Sequence, residues 1–326
     1  MTTRRQALTM LGAGLASLPF AARTQPARAL PRLGILHPAS VEASTVYKIL
    51  VPGLAARGFV DGKTIALELR SGNGKPETLP ALAVDLVRSN VDVLLVVGPA
   101  TVRAAMAATR TIPIVAIDLE SDPVHNGWMK SLSRPGGNVT GFFLDLTAMS
   151  AKWLQLLREA APRARQISLL WDTTSGDSQL TATKAAASAL SIHLQTVPVE
   201  NWSDFDAALN TAVRARTQAF VVLSSPTAFQ YSTRFAEFTL RNRIPAISPF
   251  RPFVVAGGLM SYGPDLDLFF QRTAFTIERI LAGAKASDVA VEQPTKYEFA
   301  INLTTATTLG LTIPQSLLLR ADEVIQ

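Results

Sequence analysis

The chain has 326 residues with 31 basic and 25 acidic side chains, and its formal net charge is +6. Four arginines and no acidic residue fall within residues 1–29. The remaining residues therefore carry 27 basic and 25 acidic side chains, which is a net charge of +2. So small a net charge argues against a nucleic-acid-binding surface. No cysteine is present, which excludes disulfides, thiolate metal sites, a thiol nucleophile and a lipid-anchored cysteine.

Residues 1–29 have the pattern of a signal peptide. Arg4 and Arg5 form a basic start, and the uncharged run Ala7–Ala22 is shorter than the ~20 residues that a membrane-spanning helix needs. The small-x-small order at Ala27–Ala29 predicts cleavage before Leu30 and an exported protein without a membrane anchor. The arginine pair also resembles a twin-arginine signal, so the export route stays open.

Strand-like apolar runs alternate with helical patterns along the remaining chain. The first series consists of strands 33–37, 65–70, 91–97, 112–117 and 138–143 with helices 44–57, 77–89 and 100–109. The second series consists of strands 167–171, 193–199, 219–223, 245–248 and 259–262 with helices 148–161, 178–190, 203–216, 227–242 and 265–283. Repeated strand–helix units predict an α/β protein with two doubly wound, Rossmann-like lobes.

The residues that follow the predicted strands are the candidate ligand-binding residues, because open parallel sheets bind ligands beyond the carboxyl ends of their strands. They are Pro38, Ser40, Gly98, Thr101, Asp118, Asp122, Asp172, Ser224, Phe250 and Tyr262. Helix starts at Ser40 and Thr101 suit a carboxylate, the acids suit an ammonium group, and the two aromatic rings suit an apolar part. Serine, threonine and aspartate are also ordinary helix N-caps at such positions.

Enzyme signatures are missing from the sequence. His37, His125 and His193 are far apart and lack metal-ligand spacing, and no nucleophile elbow or phosphate-binding loop occurs. We therefore expect no catalytic residue, no metal and no cofactor. The expected activity is that of a two-lobed protein which closes around a small amino-acid-like or carboxylate solute.

Several segments resemble one bacterial protein family. Residues 133–141, SRPGGNVTG, resemble the LARPGGNVTG segment of solute-binding proteins for ABC importers, which are often labelled tryptophan/tyrosine transport system substrate-binding proteins. Residues 256–264, 292–296 and 309–325 match the family as well, and the similarity covers essentially the whole mature chain. The chain departs from the family pattern at 121–129 and at Asp172, so its ligand need not be the one in the family label.

The resemblance implies a type I periplasmic-binding fold and a periplasmic location. Residues 30–143 with 265–288 would form the N-terminal lobe, and residues 144–264 with 289–326 the C-terminal lobe. The implied partners are a small-molecule solute, an ABC permease and its ATPase, with no nucleic acid and a monomeric receptor. The family's ligand loops would fall on Pro38–Ser40, Gly98–Thr101, Asp122-Pro123, Ser224–Pro226, Phe250 and Tyr262-Gly263.

Other functions compete with a transport receptor. The main alternative is a periplasmic ligand-sensing subunit for a membrane signalling protein. The predicted export signal and the absence of a helix-turn-helix pattern argue against a transcription-factor core. The missing nucleophile motifs argue against a hydrolase.

Overall fold

The computed structural model describes residues 30–42, 44–118 and 122–326. The predicted signal peptide lies outside these residues. Pro31–Gln326 form one compact unit. Within the described residues, no helix combines the length and the apolarity needed to cross a bilayer.

The first sheet has five parallel strands in the order β2-β1-β3-β4-β5. The strands are β1 Arg32–His37, β2 Ala66–Ser71, β3 Val93–Val97, β4 Ile114–Asp118 and β5 Val139–Phe143. The apolar run of β3 is buried throughout, as expected for a central parallel strand covered on both faces, while every residue of the edge strand β2 is only partly buried.

Helices cover both faces of this sheet. They are α1 Thr45–Ala55, α2 Leu79–Arg88, α3 Pro99–Ala108 and, from later in the chain, α10 Leu266–Leu281. Leu36 and Leu94 point into the core formed with α2 and α3, whereas Leu33 and Ile35 point into the core that contains α1 and α10. Alternate residues of β1 therefore serve opposite faces of the sheet.

The second sheet has seven strands in the order β12-β11-β10-β9-β8-β6-β7. They are β6 Gln166–Asp172, β7 His193–Val199, β8 Ala219–Val222, β9 Ala246–Ser248, β10 Met260–Pro264, β11 Tyr297–Asn302 and β12 Glu323–Ile325. The associated helices are α4 Ser150–Ala160, α5 Ser178–Ala189, α6 Phe205–Arg214, α7 Pro226–Gln230, α8 Ser232–Arg241, α9 Arg251–Val255, α11 Leu303–Thr308 and α12 Gln315–Leu318. The two sheets confirm the predicted α/β class.

The chain passes between the two sheets more than once. After β10 it forms α10, which packs against α1 and the strands β3 and β4 of the first sheet. Glu292 makes a bridge to Phe142 at the end of β5, and β11 then pairs with β10 in the second sheet. The division into two lobes at 143/144, 264/265 and 288/289 stays a prediction.

Two features of the second sheet differ from the sequence-based expectation. The helix predicted over 227–242 is interrupted at Tyr231, whose ring packs 4.8 Å from Trp202 and 5.0 Å from Phe205, centroid to centroid. The strand β11 was not predicted, and it runs antiparallel to β10 within an otherwise parallel sheet.

Candidate functional site

The carboxyl ends of the two sheets face each other, and their loops touch. Gln230 Nε2, at the end of α7, donates a hydrogen bond of 2.8 Å to the carbonyl of Ser40. Arg103 on α3 donates one of 2.8 Å to the carbonyl of Thr174. A methyl group at Gly98 would lie only 2.6 Å from Cγ of Pro226. The segments that follow β1, β3, β6 and β8 thus meet beyond the carboxyl ends of their strands.

The first-sheet side of this interface holds four of the predicted residues. Pro38 is buried and its carbonyl accepts the N–H of Gly74 at 2.9 Å, while Ser40 is half-buried. Gly98 has a φ of 84°, in the left-handed region that favours glycine, directly before α3 begins at Pro99. This glycine allows the chain to turn sharply from β3 into the helix.

Thr101 offers backbone rather than side-chain donors. Its hydroxyl is fully buried and lies 2.8 Å from the carbonyls of both Val97, at the end of β3, and Gly98, so it donates back to the turn that precedes its helix. Because α3 begins at Pro99, the N–H groups of Ala100 and Thr101 have no carbonyl within the helix to bond. These two N–H groups lie at the positive end of the helix dipole.

The predicted acidic residues have different surroundings. Asp122 is exposed, and its Oδ1 accepts the N–H groups of Val124 at 2.9 Å and His125 at 3.0 Å, which shapes the following turn. The backbone of Asp118 ends β4, but its side chain lies outside the described part of the structure. A role of either carboxylate toward a ligand stays a prediction.

Asp172 is buried at the end of β6 and is fully engaged with its neighbours. Oδ1 accepts both the N–H of Thr174 at 2.9 Å and its hydroxyl at 2.6 Å, and Oδ2 accepts Nε1 of Trp202 at 3.1 Å. Burial raises the pKa of Asp172, and the hydrogen bonds from Thr174, Ser225 and Trp202 oppose that rise. The carboxyl group therefore organises the second-sheet loops.

Ser224 follows β8 and is held through its backbone. Its N–H donates to Oε1 of Gln179 at 3.1 Å, and its carbonyl accepts Nε2 of the same side chain at 3.1 Å. The next residue, Ser225, caps α7 by accepting the N–H of Ala228 at 2.8 Å. Since Ser225 also bonds Asp172, the predicted residues Asp172 and Ser224 belong to one connected network.

The two predicted aromatic residues lie in separate groups. Phe250 is 2% exposed and packs edge-to-face on Phe229 with centroids 4.9 Å apart. Tyr262 is half-buried beside Tyr297 and Phe299, at 6.4 and 6.2 Å, and Lys152 Nζ lies 5.9 Å from its ring centroid. Phe229 keeps a partly exposed ring and lines, with Thr45 and Leu266, a cavity of about 70 Å³.

Several residues of the interface were not among the predicted binding residues. They are His37, Arg103, Ser175, Phe229 and Gln230. His37 and Ser175 follow the same rule as the predicted residues, because both stand at or just after the end of a strand. Arg103, Phe229 and Gln230 stand inside helices, where their sequence positions indicate only a helix face.

Comparison with known proteins places this arrangement in a family. The sequence model described as ABC transporter substrate binding protein matches residues 35–325, which is most of the chain. The chain belongs to the ABC transporter substrate-binding protein family. This is a family of binding proteins, and the resemblance found in the segment 133–141 is thereby confirmed.

Relatives of this substrate-binding protein support the assignment. A tyrosine-binding protein of Clostridioides difficile is 25% identical over 278 residues, which cover 84% of this chain and 78% of the relative. A conserved domain protein from Vibrio cholerae has a TM-score of 0.79 at 24% identity, covering 90% of this chain and 99% of its own. An ABC domain from Streptococcus pneumoniae in complex with L-Trp has a TM-score of 0.78 at 23% identity, covering 91% and 100%. These structures share the fold.

Proposed function

We propose that the protein is the periplasmic solute receptor of an ABC importer and holds a small amino-acid-like or carboxylate solute between the facing loops of its two sheets. The observation that carries the proposal is the direct contact of Ser40 with Gln230 and of Arg103 with Thr174 at the carboxyl ends of both sheets. The relative named tyrosine-binding protein supports an amino acid as the solute.

The interface offers complementary groups for such a solute. The N–H groups of Ala100 and Thr101 at the start of α3 suit a carboxylate, since they lie at the positive end of the helix dipole. Phe229, packed on the buried Phe250, presents a partly exposed ring that suits an apolar or aromatic side chain. Ser40, Ser224, Tyr262 and Asp122 also belong to the proposed set of binding residues.

The primary experiment is calorimetry with matched solutes. L-Tyrosine and L-tryptophan are titrated into the mature protein, alongside tyramine, which lacks the carboxylate, and 3-(4-hydroxyphenyl)propionate, which lacks the ammonium group. We expect an amino acid to bind more tightly than either analogue. Scattering with saturating solute should show a smaller radius of gyration if the lobes close on it. No heat with any of the four compounds would reject the amino-acid proposal.

Asp122 is our proposed partner of the ammonium group, and Asp122→Asn tests it. If the charge pairs with the solute and the bound complex buries that pair, calorimetry should show binding weakened by more than about a hundredfold, because removing one partner of a buried pair costs about 3–5 kcal/mol. If Asp122 only shapes the turn at Val124 and His125, affinity stays at the wild-type value and the melting temperature falls.

Export and delivery are tested in the cell. Mass spectrometry of a periplasmic extract should find the chain beginning at Leu30, and intact Met1 in a cytosolic pool would reject the proposed location. A strain without the gene should lose uptake of the radiolabelled solute. Unchanged uptake with a lost transcriptional response would instead support a sensing subunit for a membrane signalling protein.

A further inference from the structure

His37 stands at the carboxyl end of β1, directly before the loop that meets the second sheet. Its ring is 2% exposed, and Nδ1 lies 3.1 Å from the backbone N–H of Ala39. The side chain follows Leu33 and Ile35 on the face of the sheet that α1 covers. Thr45, in the first turn of α1, lines a cavity together with Phe229 of α7.

The hydrogen bond from Ala39 fixes which ring nitrogen carries the proton. Nδ1 accepts, so it holds a lone pair, and Nε2 must be the N–H nitrogen of a neutral imidazole. Burial lowers the pKa of His37 to about 4, so the ring is neutral at pH 7. Among the described residues, none accepts a hydrogen bond from Nε2.

The surroundings of His37 make an unmade hydrogen bond costly. The residue is only 2% exposed, and a buried N–H group that meets no acceptor loses free energy relative to water. The Nε2–H donor has a fixed tautomer and no acceptor among the described residues, so it adds no hydrogen bond to the fold. It stands at the carboxyl end of β1, where an acceptor on a bound molecule could meet it.

We propose that the Nε2–H group of His37 donates a hydrogen bond to an oxygen of the bound solute and selects solutes that present a carboxylate or carbonyl acceptor at that point. The inference rests on the proposed function of the interface as a solute site. A neutral donor does not repel the ammonium group of a zwitterion, as a charged imidazolium ion would, but an ammonium group cannot accept its hydrogen bond. The position therefore discriminates by donor and acceptor rather than by charge.

Two substitutions separate the roles of the two ring nitrogens. In His37→Gln the amide nitrogen reaches the place of Nε2 and donates there, but the acceptor for Ala39 is lost. In His37→Asn the amide oxygen takes the place of Nδ1 and accepts from Ala39, but nothing reaches the place of Nε2. Calorimetry with L-tyrosine should show His37→Gln within about threefold of the wild type and His37→Asn weakened about tenfold or more.

The opposite order of the two variants would show that His37 only shapes the loop, and equal affinities of the two variants would also overturn the proposal. A second measurement needs no solute. Two-bond ¹H–¹⁵N spectra of the free protein should show Nε2 protonated and Nδ1 unprotonated at pH 7, and the reverse tautomer would overturn the proposal. If the wild type binds none of the tested solutes while the tautomer is as expected, the proposed function fails and the state of His37 stands.

Discussion

Burial sets the protonation state of His37, and this makes the stability of the protein sensitive to acid. The folded pKa of about 4 lies below the value of about 6.5 expected for an unfolded histidine, so the unfolded chain binds more protons between these values. The contribution of His37 to stability is complete above pH 6.5 and is lost as the pH falls toward 4. The loss amounts to about 3 kcal/mol at pH 4 and below.

Urea unfolding of the wild type and of His37→Gln at pH 7 and pH 4 measures this contribution. The variant should lose about 3 kcal/mol less than the wild type on acidification, because glutamine does not titrate. His193→Gln is the control, since it replaces a histidine that is exposed on the edge strand β7 rather than buried. Equal acid losses in the wild type and His37→Gln would contradict the burial argument.

Asp172 illustrates what the sequence can and cannot establish about a single residue. It stands at the end of β6, two residues before Thr174, whose carbonyl accepts a hydrogen bond from Arg103. Its engagement depends on Trp202, thirty positions later, and on Ser225. The same holds for Thr101, whose hydroxyl donates to the carbonyl of Val97. The sequence does not show whether such a hydroxyl bonds a backbone carbonyl or a ligand, because this depends on the folded backbone.

At the scale of elements, Gly98 in the turn between β3 and α3 allows the loops of the two sheets to lie in contact. Gly98→Ala would strain a backbone with φ of 84° and place a methyl group 2.6 Å from Cγ of Pro226. We expect calorimetry to show weaker solute binding, because the clash disfavours the arrangement in which these two loops are in contact. Pro226→Ala, combined with Gly98→Ala, removes the ring atoms that the methyl group meets and should recover part of the affinity.

The control for Gly98→Ala is Gly137→Ala, where the added methyl group enters open space and no left-handed φ is present. This variant should bind as the wild type does. If the single variant at Gly98 and the double variant lose affinity equally, backbone strain alone explains the effect, and the approach of Pro226 has no part in it.

The elements themselves were largely predictable where local sequence decides them. The buried run of β3 and the half-exposed strand β2 were predicted from apolar patterning, which reflects the burial of their two faces. The strand β11 was missed because its partner β10 lies more than thirty residues earlier, beyond the whole of α10. The interruption at Tyr231 depends on packing against Trp202, which helical periodicity does not contain.

At the scale of the whole molecule, two hydrogen bonds hold the sheets together across the interface. Each of the contacts from Arg103 and Gln230 contributes about 1 kcal/mol, a typical net value. Replacing both residues by alanine should therefore weaken solute binding by roughly tenfold to thirtyfold, since part of the binding energy must now close the protein. Calorimetry measures the affinity, and scattering of the solute-free protein should show a larger radius of gyration.

Arg134→Ala is a matched control for this double variant. Arg134 is exposed, and its side chain makes no hydrogen bond or ion pair with any described residue. Its replacement removes a positive charge without removing a contact between the sheets. An unchanged radius of gyration and affinity in the double variant would show that packing alone maintains the approach of the two sheets.

Both of these hydrogen bonds end on backbone carbonyls, at Ser40 and Thr174. A mutation that changes either side chain leaves the acceptor in place, so these loop positions can drift in sequence without loss of the contact. After a gene duplication, selection can therefore alter the side chains of these loops, and with them the chemistry that the loops present, while the two contacts between the sheets are inherited unchanged.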